Sequence, residues 1–350
     1  MKAGIVGIGT VGRAAAAAML QRGSCRELVL VNRRREVAEA VALDLRYGVP
    51  VGPVVTVRAG GYDDLRGAGV VVIAAGVNEK SGGATDRSDP EGRLKLIDAN
   101  VPVMRAVVPP AVAAAPEAVL LVVPDPPDPL ADLARRLAGH DRVVSSGTLL
   151  DSLRFRTHLA EALGVDPRSV QANVLGEHGT SAVPHWSAVE VGGVPLTAVL
   201  EHVGKRIEEV RPRVEEAVRG ANLNIIQGLG ASQYGIGAVT ARLVEAVLRD
   251  ERVVVPVGSY RPEAGVTYSL PSVVGAGGVL AVLEPELDGE ERAKLDHSID
   301  VLRHAAERLR RTAGGGRDWR GPGRAPSARG RPPPVSARPA PAGGGRCRLG

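Results

Sequence analysis

In the first 145 residues, short and almost wholly apolar runs alternate with longer stretches whose apolar residues recur at helical spacing. Residues 3–8, 27–31, 70–75 and 120–123 are such runs, and 142–147, more polar, is the last. A strand covered on both faces needs no polar alternation, so these predict buried parallel strands. The Ala-rich stretch 13–21, residues 36–47 and a segment beginning near Arg93 predict the intervening helices. Strands that alternate with helices build a doubly wound parallel sheet, which makes the fold class α/β of Rossmann type. Beyond Thr148 the pattern changes. A helix is expected at about 151–164, strands at 170–175 and 186–196 with a Gly-Gly turn at 192–193, and long helices near 198–219 and 221–249. A two-strand patch at 252–259 and 264–274 and a final helix near 289–311 complete a second, α+β domain. The expected boundaries are 1–145 for the first domain, 146–312 for the second and 313–350 for a tail.

The first turn carries the earliest chemistry. Gly7-Ile8-Gly9-Thr10-Val11-Gly12 follows the first strand and opens the first helix. Glycines there allow a tight turn, close approach to a pyrophosphate and close helix–sheet packing, and the helix N-terminus faces the phosphates. Gly7, Gly9, Thr10, Val11 and Gly12 are therefore candidate cofactor residues, with Gly76 at the end of the 70–75 strand. Asn32 stands 20 residues past Gly12, where a carboxylate would hold the ribose hydroxyls, and Arg33-Arg34-Arg35 follow. Asn32 does not repel a 2′-phosphate and Arg33 could bind one. NAD is the expected cofactor, with NADP open as an alternative.

Composition narrows the partners. Aromatic residues make up 2% of the chain, so the cores must be built from Val, Leu, Ile and Ala. The net charge of +5 belongs to the tail. Residues 313–350 hold eight arginines against one acid, Asp318, leaving the first 312 residues at −2. A basic nucleic-acid face is thus not expected. The tail is Gly, Pro, Arg and Ala, too poor in large apolar residues to fold by itself, and is expected to be disordered. Cys25 and Cys347 form neither a disulfide framework nor metal-ligand spacing, so no metal is expected. No membrane-spanning run and no secretory pattern are read, and a cytoplasmic location follows as the expectation.

The most chemically suggestive stretch is Val174-Leu175-Gly176-Glu177-His178-Gly179-Thr180. A histidine between glycines at the end of an apolar run suits a proton donor and acceptor near neutral pH. Upstream, Asp151-Ser152-Leu153-Arg154 offers an aspartate to orient that histidine and an arginine whose planar fork matches a carboxylate.

Together these motifs resemble the L-lactate and malate dehydrogenases, NAD-dependent 2-hydroxyacid oxidoreductases, from residue 3 to about residue 311. The resemblance implies hydride transfer between a nicotinamide and a small 2-hydroxy or 2-keto acid, most nearly lactate/pyruvate, with malate/oxaloacetate as the rival. It implies His178 as the proton donor and acceptor, Asp151 as its partner and Arg154 as the anchor of the substrate carboxylate. Arg93, seven residues before Asn100, would polarise the substrate carbonyl from a mobile loop, Asn100 would be a cofactor-binding residue, and Ser232 would line the substrate pocket. It also implies a homo-oligomer, either dimer or tetramer.

Several positions depart from that pattern. Asp125 stands where an asparagine would donate to the substrate oxygen, and an ionised carboxylate cannot donate. A catalytically weak dinucleotide-binding sensor is the reading of another class that Asp125 keeps open. The loop at 77–92 is longer than usual by about eight residues, so Arg87 competes with Arg93. Thr180 stands where an acid is common. Arg156 matches one half of a sugar-bisphosphate effector site, but Gln171 replaces the histidine of the other half. Glu79, three residues past Gly76, holds the position that selects substrate. An ionised Glu79 would repel a dicarboxylate and favour a monocarboxylic keto acid.

Overall fold

The computed structural model describes residues 1–77 and 92–312, with side chains resuming at residue 95. Glu79, Arg87 and the tail 313–350 lie outside the described residues, and Arg93 is described in its backbone alone.

The first half contains β1 (Lys2–Val6), α1 (Thr10–Arg22), β2 (Glu27–Val31), α2 (Arg35–Gly48), β3 (Thr56–Gly60) and β4 (Val70–Ile73). It continues through α3 (Gly92–Ala114), β5 (Val119–Val122), α4 (Pro127–Ala138) and β6 (Val143–Ser145). The six strands are parallel, in the order β6-β5-β4-β1-β2-β3. All four residues of β4 and of β5 are buried, because helices cover both faces of the sheet. The chain leaves β1 and β4 in opposite directions, and the crevice between their C-terminal ends is where such sheets receive a ligand.

The second half contains α5 (Leu149–Leu163), β7 (Val170–Gln171), β8 (Val174–Leu175), β9 (Val183–Pro184), β10 (Glu190–Val191) and β11 (Val194–Pro195). Helices α6 (Leu196–His202), α7 (Ile207–Leu229) and α8 (Tyr234–Leu248) follow, then β12 (Val253–Arg261), β13 (Val266–Gly275), β14 (Gly278–Val282) and α9 (Gly289–Thr312).

Several expectations are corrected here. The two-strand patch is three antiparallel strands, and it is not separate: β12 meets β6 through Gly258 and Ser145, extending one sheet to nine strands. Strand β3 had no apolar run to announce it, since Thr56 and Arg58 interrupt it. The long helices break at Gly204 and Gly230, both at positive φ, and not at Gly220, which lies inside α7. A glycine within a helix costs only about 1 kcal/mol, which packing overrides, whereas the left-handed turns favour glycine. The Gly192-Gly193 turn does join β10 to β11. Lys95–Ala114 of α3 is, against expectation, long and apolar enough to cross a membrane by composition. Its apolar stripe, including Ile97, Val101, Met104 and Val108, belongs to a core shared with β4 and β5.

A close helix contact seats the second half on the first, and an aromatic core fixes α5 within the second half. Gly237 of α8 packs on α1 so closely that a Cβ would come within 2.8 Å of the Ala14 backbone. Phe155 of α5 is fully buried against Trp186, ring centroids 4.6 Å apart, in a core with Leu159 and Val174. Burial of such side chains is worth roughly 1.5–3 kcal/mol each and sets the rotation of α5.

Candidate active site

A cleft of about 250 Å³ opens where the two halves meet. Gly9, Thr10, Val11 and Gly76 line one end, and Asp125, Arg154, His178 and Ser232 line the other. Gly9 and Ser232, 223 residues apart in sequence, thus share one cavity.

The turn after β1 is shaped for close approach. Gly7 has φ 101°, and a Cβ there would lie 2.3 Å from the Ala75 nitrogen. A Cβ on Gly12 would lie 2.0 Å from the Gly7 carbonyl, so α1 rests directly on the strand end. At Gly9 a Cβ would meet nothing within 4 Å, since that position faces the cleft. The first turn of α1 carries no acidic residue, leaving the positive end of the helix dipole unopposed. This cradle fits the pyrophosphate of a dinucleotide.

Asn32 supports the cradle through its amide. Its Oδ1 accepts the Ile8 N–H at 3.1 Å and its Nδ2 donates to the Arg34 carbonyl at 3.0 Å. Arg33 is exposed beside it, while Arg34 lies 4.0 Å from Glu36 and Arg35 bonds Glu39 at 2.8 Å. Asn100 is 1% exposed and also acts through backbone: it accepts from Val77 N–H at 2.7 Å and donates to the Asp125 carbonyl at 3.0 Å. It braces the ends of β4 and β5 and does not line the cleft.

At the opposite end, His178 Nδ1 lies 2.5 Å from Asp151 Oδ2, and Arg154 Nη1 donates to Asp151 Oδ1 at 3.0 Å. One carboxylate from the first turn of α5 thus orients both groups. With the Nδ1 proton directed at this carboxylate, Nε2 is the ring nitrogen chemically able to exchange a proton. The loop that carries His178 is clamped from three sides. Gly176, φ 79°, exchanges two backbone bonds with Ser269 of β13, each 2.9 Å. The Glu177 N–H donates to Ser298 of α9 at 2.8 Å. The His178 N–H donates to Asp128 of α4 at 2.9 Å. Ser269 also accepts the Thr148 N–H at 3.1 Å, so β13 supports the start of α5 as well.

Sequence reasoning passed over Asp128, Ser269, Ser298 and Asn222, the last of which lines the cleft from α7. Asp128 reads as an ordinary acid in a helix's first turn, where the dipole favours it. Its 1% exposure is what sets it apart. Burial pushes its carboxyl up to about 6, while the His178 N–H and the Ser145 hydroxyl pull it back down. Arg156 is turned away from solvent-borne anions: Nε donates to the Ala172 carbonyl at 2.8 Å and Nη2 to Asn173 Oδ1 at 3.1 Å. Among the described residues no cluster of side chains has metal-ligand character.

A dinucleotide cradle joined to a His–Asp–Arg group is the arrangement of a dehydrogenase acting on a carboxylic acid, and comparison with known proteins decides the family. The family described as lactate/malate dehydrogenase, NAD binding domain, matches residues 1–145. Its partner, the lactate/malate dehydrogenase alpha/beta C-terminal domain, matches residues 148–312. The chain belongs to the lactate/malate dehydrogenase family. It is 46% identical over 304 residues to the L-lactate dehydrogenase of Deinococcus radiodurans, covering 87% of this chain and 97% of that protein. Identity is also 46% over 312 residues to the L-lactate dehydrogenase of Thermus aquaticus, covering 87% and 98%. Among solved structures, a lactate dehydrogenase from a Medee basin deep-sea metagenome library superposes with a TM-score of 0.81 at 32% identity, covering 88% of this chain and 98% of the other. The minor L-lactate dehydrogenase of Enterococcus mundtii gives 0.81 at 35% identity, covering 87% and 97%. The chain is accordingly a nicotinamide-dependent 2-hydroxyacid dehydrogenase.

Proposed function

We propose that this member of the family interconverts L-lactate and pyruvate with NAD as its principal cofactor. The observation that carries the reading is the shared Asp151 carboxylate, which presents His178 and Arg154 together to the cleft that the dinucleotide cradle opens into. A nicotinamide bound in that cleft supplies and accepts the hydride. His178 gives its Nε2 proton to the forming alkoxide, and Asp151 stabilises the imidazolium before and the neutral ring after. Arg154 takes the carboxylate of the acid, and with it the orientation of the 2-carbon. Ser232 closes the far wall. As the family resemblance implies, Arg93 would polarise the carbonyl, with Arg87 as its rival, and Glu79 would turn away dicarboxylates.

Relatives named L-lactate dehydrogenase along nearly their whole length support pyruvate over oxaloacetate. The test is a comparison of kcat/KM for the two keto acids with NADH. Pyruvate is expected to be the better substrate, and Glu79→Arg to narrow or invert the ratio. Oxaloacetate better by about tenfold, ~1.4 kcal/mol, would move the assignment to malate.

The effector property also has a structural argument. Arg156 is hydrogen-bonded to the 172–173 segment and Gln171 is exposed beside it, so sugar-bisphosphate activation is not expected. The active species we propose is a cytoplasmic homo-oligomer, dimer or tetramer, to be measured by sedimentation.

A further inference from the structure

We propose that Asp128 is a positioning residue of the reaction, whose buried carboxylate holds the His178 backbone and the Ser145–Gly147 turn in one register. The proposal rests on the reading that His178 moves the proton, and it names what fixes that histidine in space.

Each oxygen of the carboxylate has its own bond. Oδ2 accepts the His178 N–H at 2.9 Å, and Oδ1 accepts the Ser145 hydroxyl at 2.5 Å. Ser145 passes the constraint on, because its Oγ accepts the Gly147 N–H at 3.1 Å. Gly147 lines the cleft and precedes α5, which carries Asp151 and Arg154. Three segments far apart in the chain therefore converge on one side chain: the first turn of α4, the β6–α5 turn and the histidine loop. The neighbouring strand leaves room for this and for nothing more. A Cβ on Gly258 would lie 2.1 Å from Ser145 Oγ and 2.5 Å from Asp128 Oδ1.

Charge adds to the geometry. Among the described residues, the titratable and charged groups around His178 are Asp151 and Arg154 from α5, Asp125 after β5, Glu177 in its own loop and Asp128 from α4. Glu177 is engaged with Ser181, whose hydroxyl it accepts at 2.5 Å. Asp128, shielded from water and bonded to the His178 N–H, brings a negative charge close to that residue, and when ionised it favours the protonated ring that keto-acid reduction requires.

The test uses the full chain carrying Asp128→Asn, which keeps size and removes charge, and Ser145→Ala, which keeps the charge and removes one bond. With Asp128→Asn, kcat for pyruvate reduction is expected to fall about tenfold to a hundredfold while KM for NADH changes less than about twofold. The titration of the His178 ring, followed by NMR with 15N-labelled histidine, should shift to lower pH. With Ser145→Ala the ring titration should hold and kcat should fall severalfold. An Asp128→Asn protein with kcat within twofold of the parent, or an unshifted His178 titration, overturns the proposal. If Asp128→Asn does not fold, Ser145→Ala decides, and an unchanged kcat there overturns it. A parent that turns over no keto acid would instead refute the proposed function, while the ring titration still reports on Asp128.

Discussion

At the scale of single residues, the dyad and its neighbour Asp125 determine what the site does. If His178 moves the proton as proposed, His178→Ala is expected to lower turnover by about a hundredfold or more with cofactor affinity nearly unchanged. Equal loss of cofactor binding, measured by NADH fluorescence, would make the histidine structural. Asp151→Asn should reduce turnover as well, and it should also weaken substrate binding, because Arg154 leans on the same carboxylate. Asp125 offers the opposite sign. Its backbone carbonyl is pinned by Asn100 and the residue lines the cavity shared with His178 and Arg154. A charged carboxylate there repels an anionic substrate and donates nothing, whereas an amide of the same shape donates. Asp125→Asn should therefore raise kcat/KM for pyruvate at neutral pH by about tenfold, a gain of ~1.4 kcal/mol. Steady-state kinetics showing a loss would mean that Asp125 has a working role of its own.

At the scale of elements, the β1–α1 turn and the start of α2 govern the cofactor. The glycines at 7 and 12 are required by contact, since any side chain would strike the backbone of β4's exit or of the turn itself. Asn32 keeps this turn joined to residue 34 through its amide and places no carboxylate where the adenosine ribose would lie, while Arg33 stands exposed next to it. Discrimination between NAD and NADP should be weak. The ratio of kcat/KM for the two cofactors is expected to stay below about a thousandfold, ~4 kcal/mol, and Asn32→Asp should widen it. A larger ratio in the parent protein would show that Arg33 does not reach the ribose.

At the scale of the whole molecule, α4 joins the two halves through buried acids. Asp132, one turn after Asp128, is 5% exposed and accepts the Thr267 hydroxyl at 2.6 Å and N–H at 3.3 Å. Burial pushes Asp132 up to about 7 and Asp128 up to about 6. Unfolded carboxyls titrate near ~4, so between about pH 4 and 7 the folded chain holds more protons than the unfolded one. These two acids therefore stabilise most at low pH, and that contribution is lost as pH rises through 6 and 7. Asp64, Asp98 and Glu245, whose carboxyls are held low by Arg58, Arg308 and Arg22, act the other way, and their stabilisation is lost as pH falls below about 4.5. Scanning calorimetry is expected to show Tm falling by a few degrees, ~3–5 °C, between pH 5 and 8, and Asp132→Asn should flatten that slope. A Tm rising steadily over this range in both proteins would contradict the assignment.

What the sequence by itself determined is what local pattern can encode. The apolar runs at 27–31, 70–75 and 120–123 became buried strands because a strand covered on both faces reads as unbroken hydrophobicity. The glycine turn, the 174–180 stretch and the Asp151–Arg154 spacing could be read because each is contiguous. Strand β3, broken by Thr56 and Arg58, could not. Only the tertiary structure decided that β12–β14 extend the first sheet, since that union passes through Gly258 and Ser145, 113 residues apart. The same holds for Asp128. A carboxylate in a helix's first turn looks the same whether solvent or a protein interior surrounds it. Its bonds to His178, 50 residues away, and to Ser145, 17 away, exist only once three segments have packed around it. Spacing along a chain records which side chains share a helix face or a strand face, but which of those faces meet is fixed by the packing of the whole.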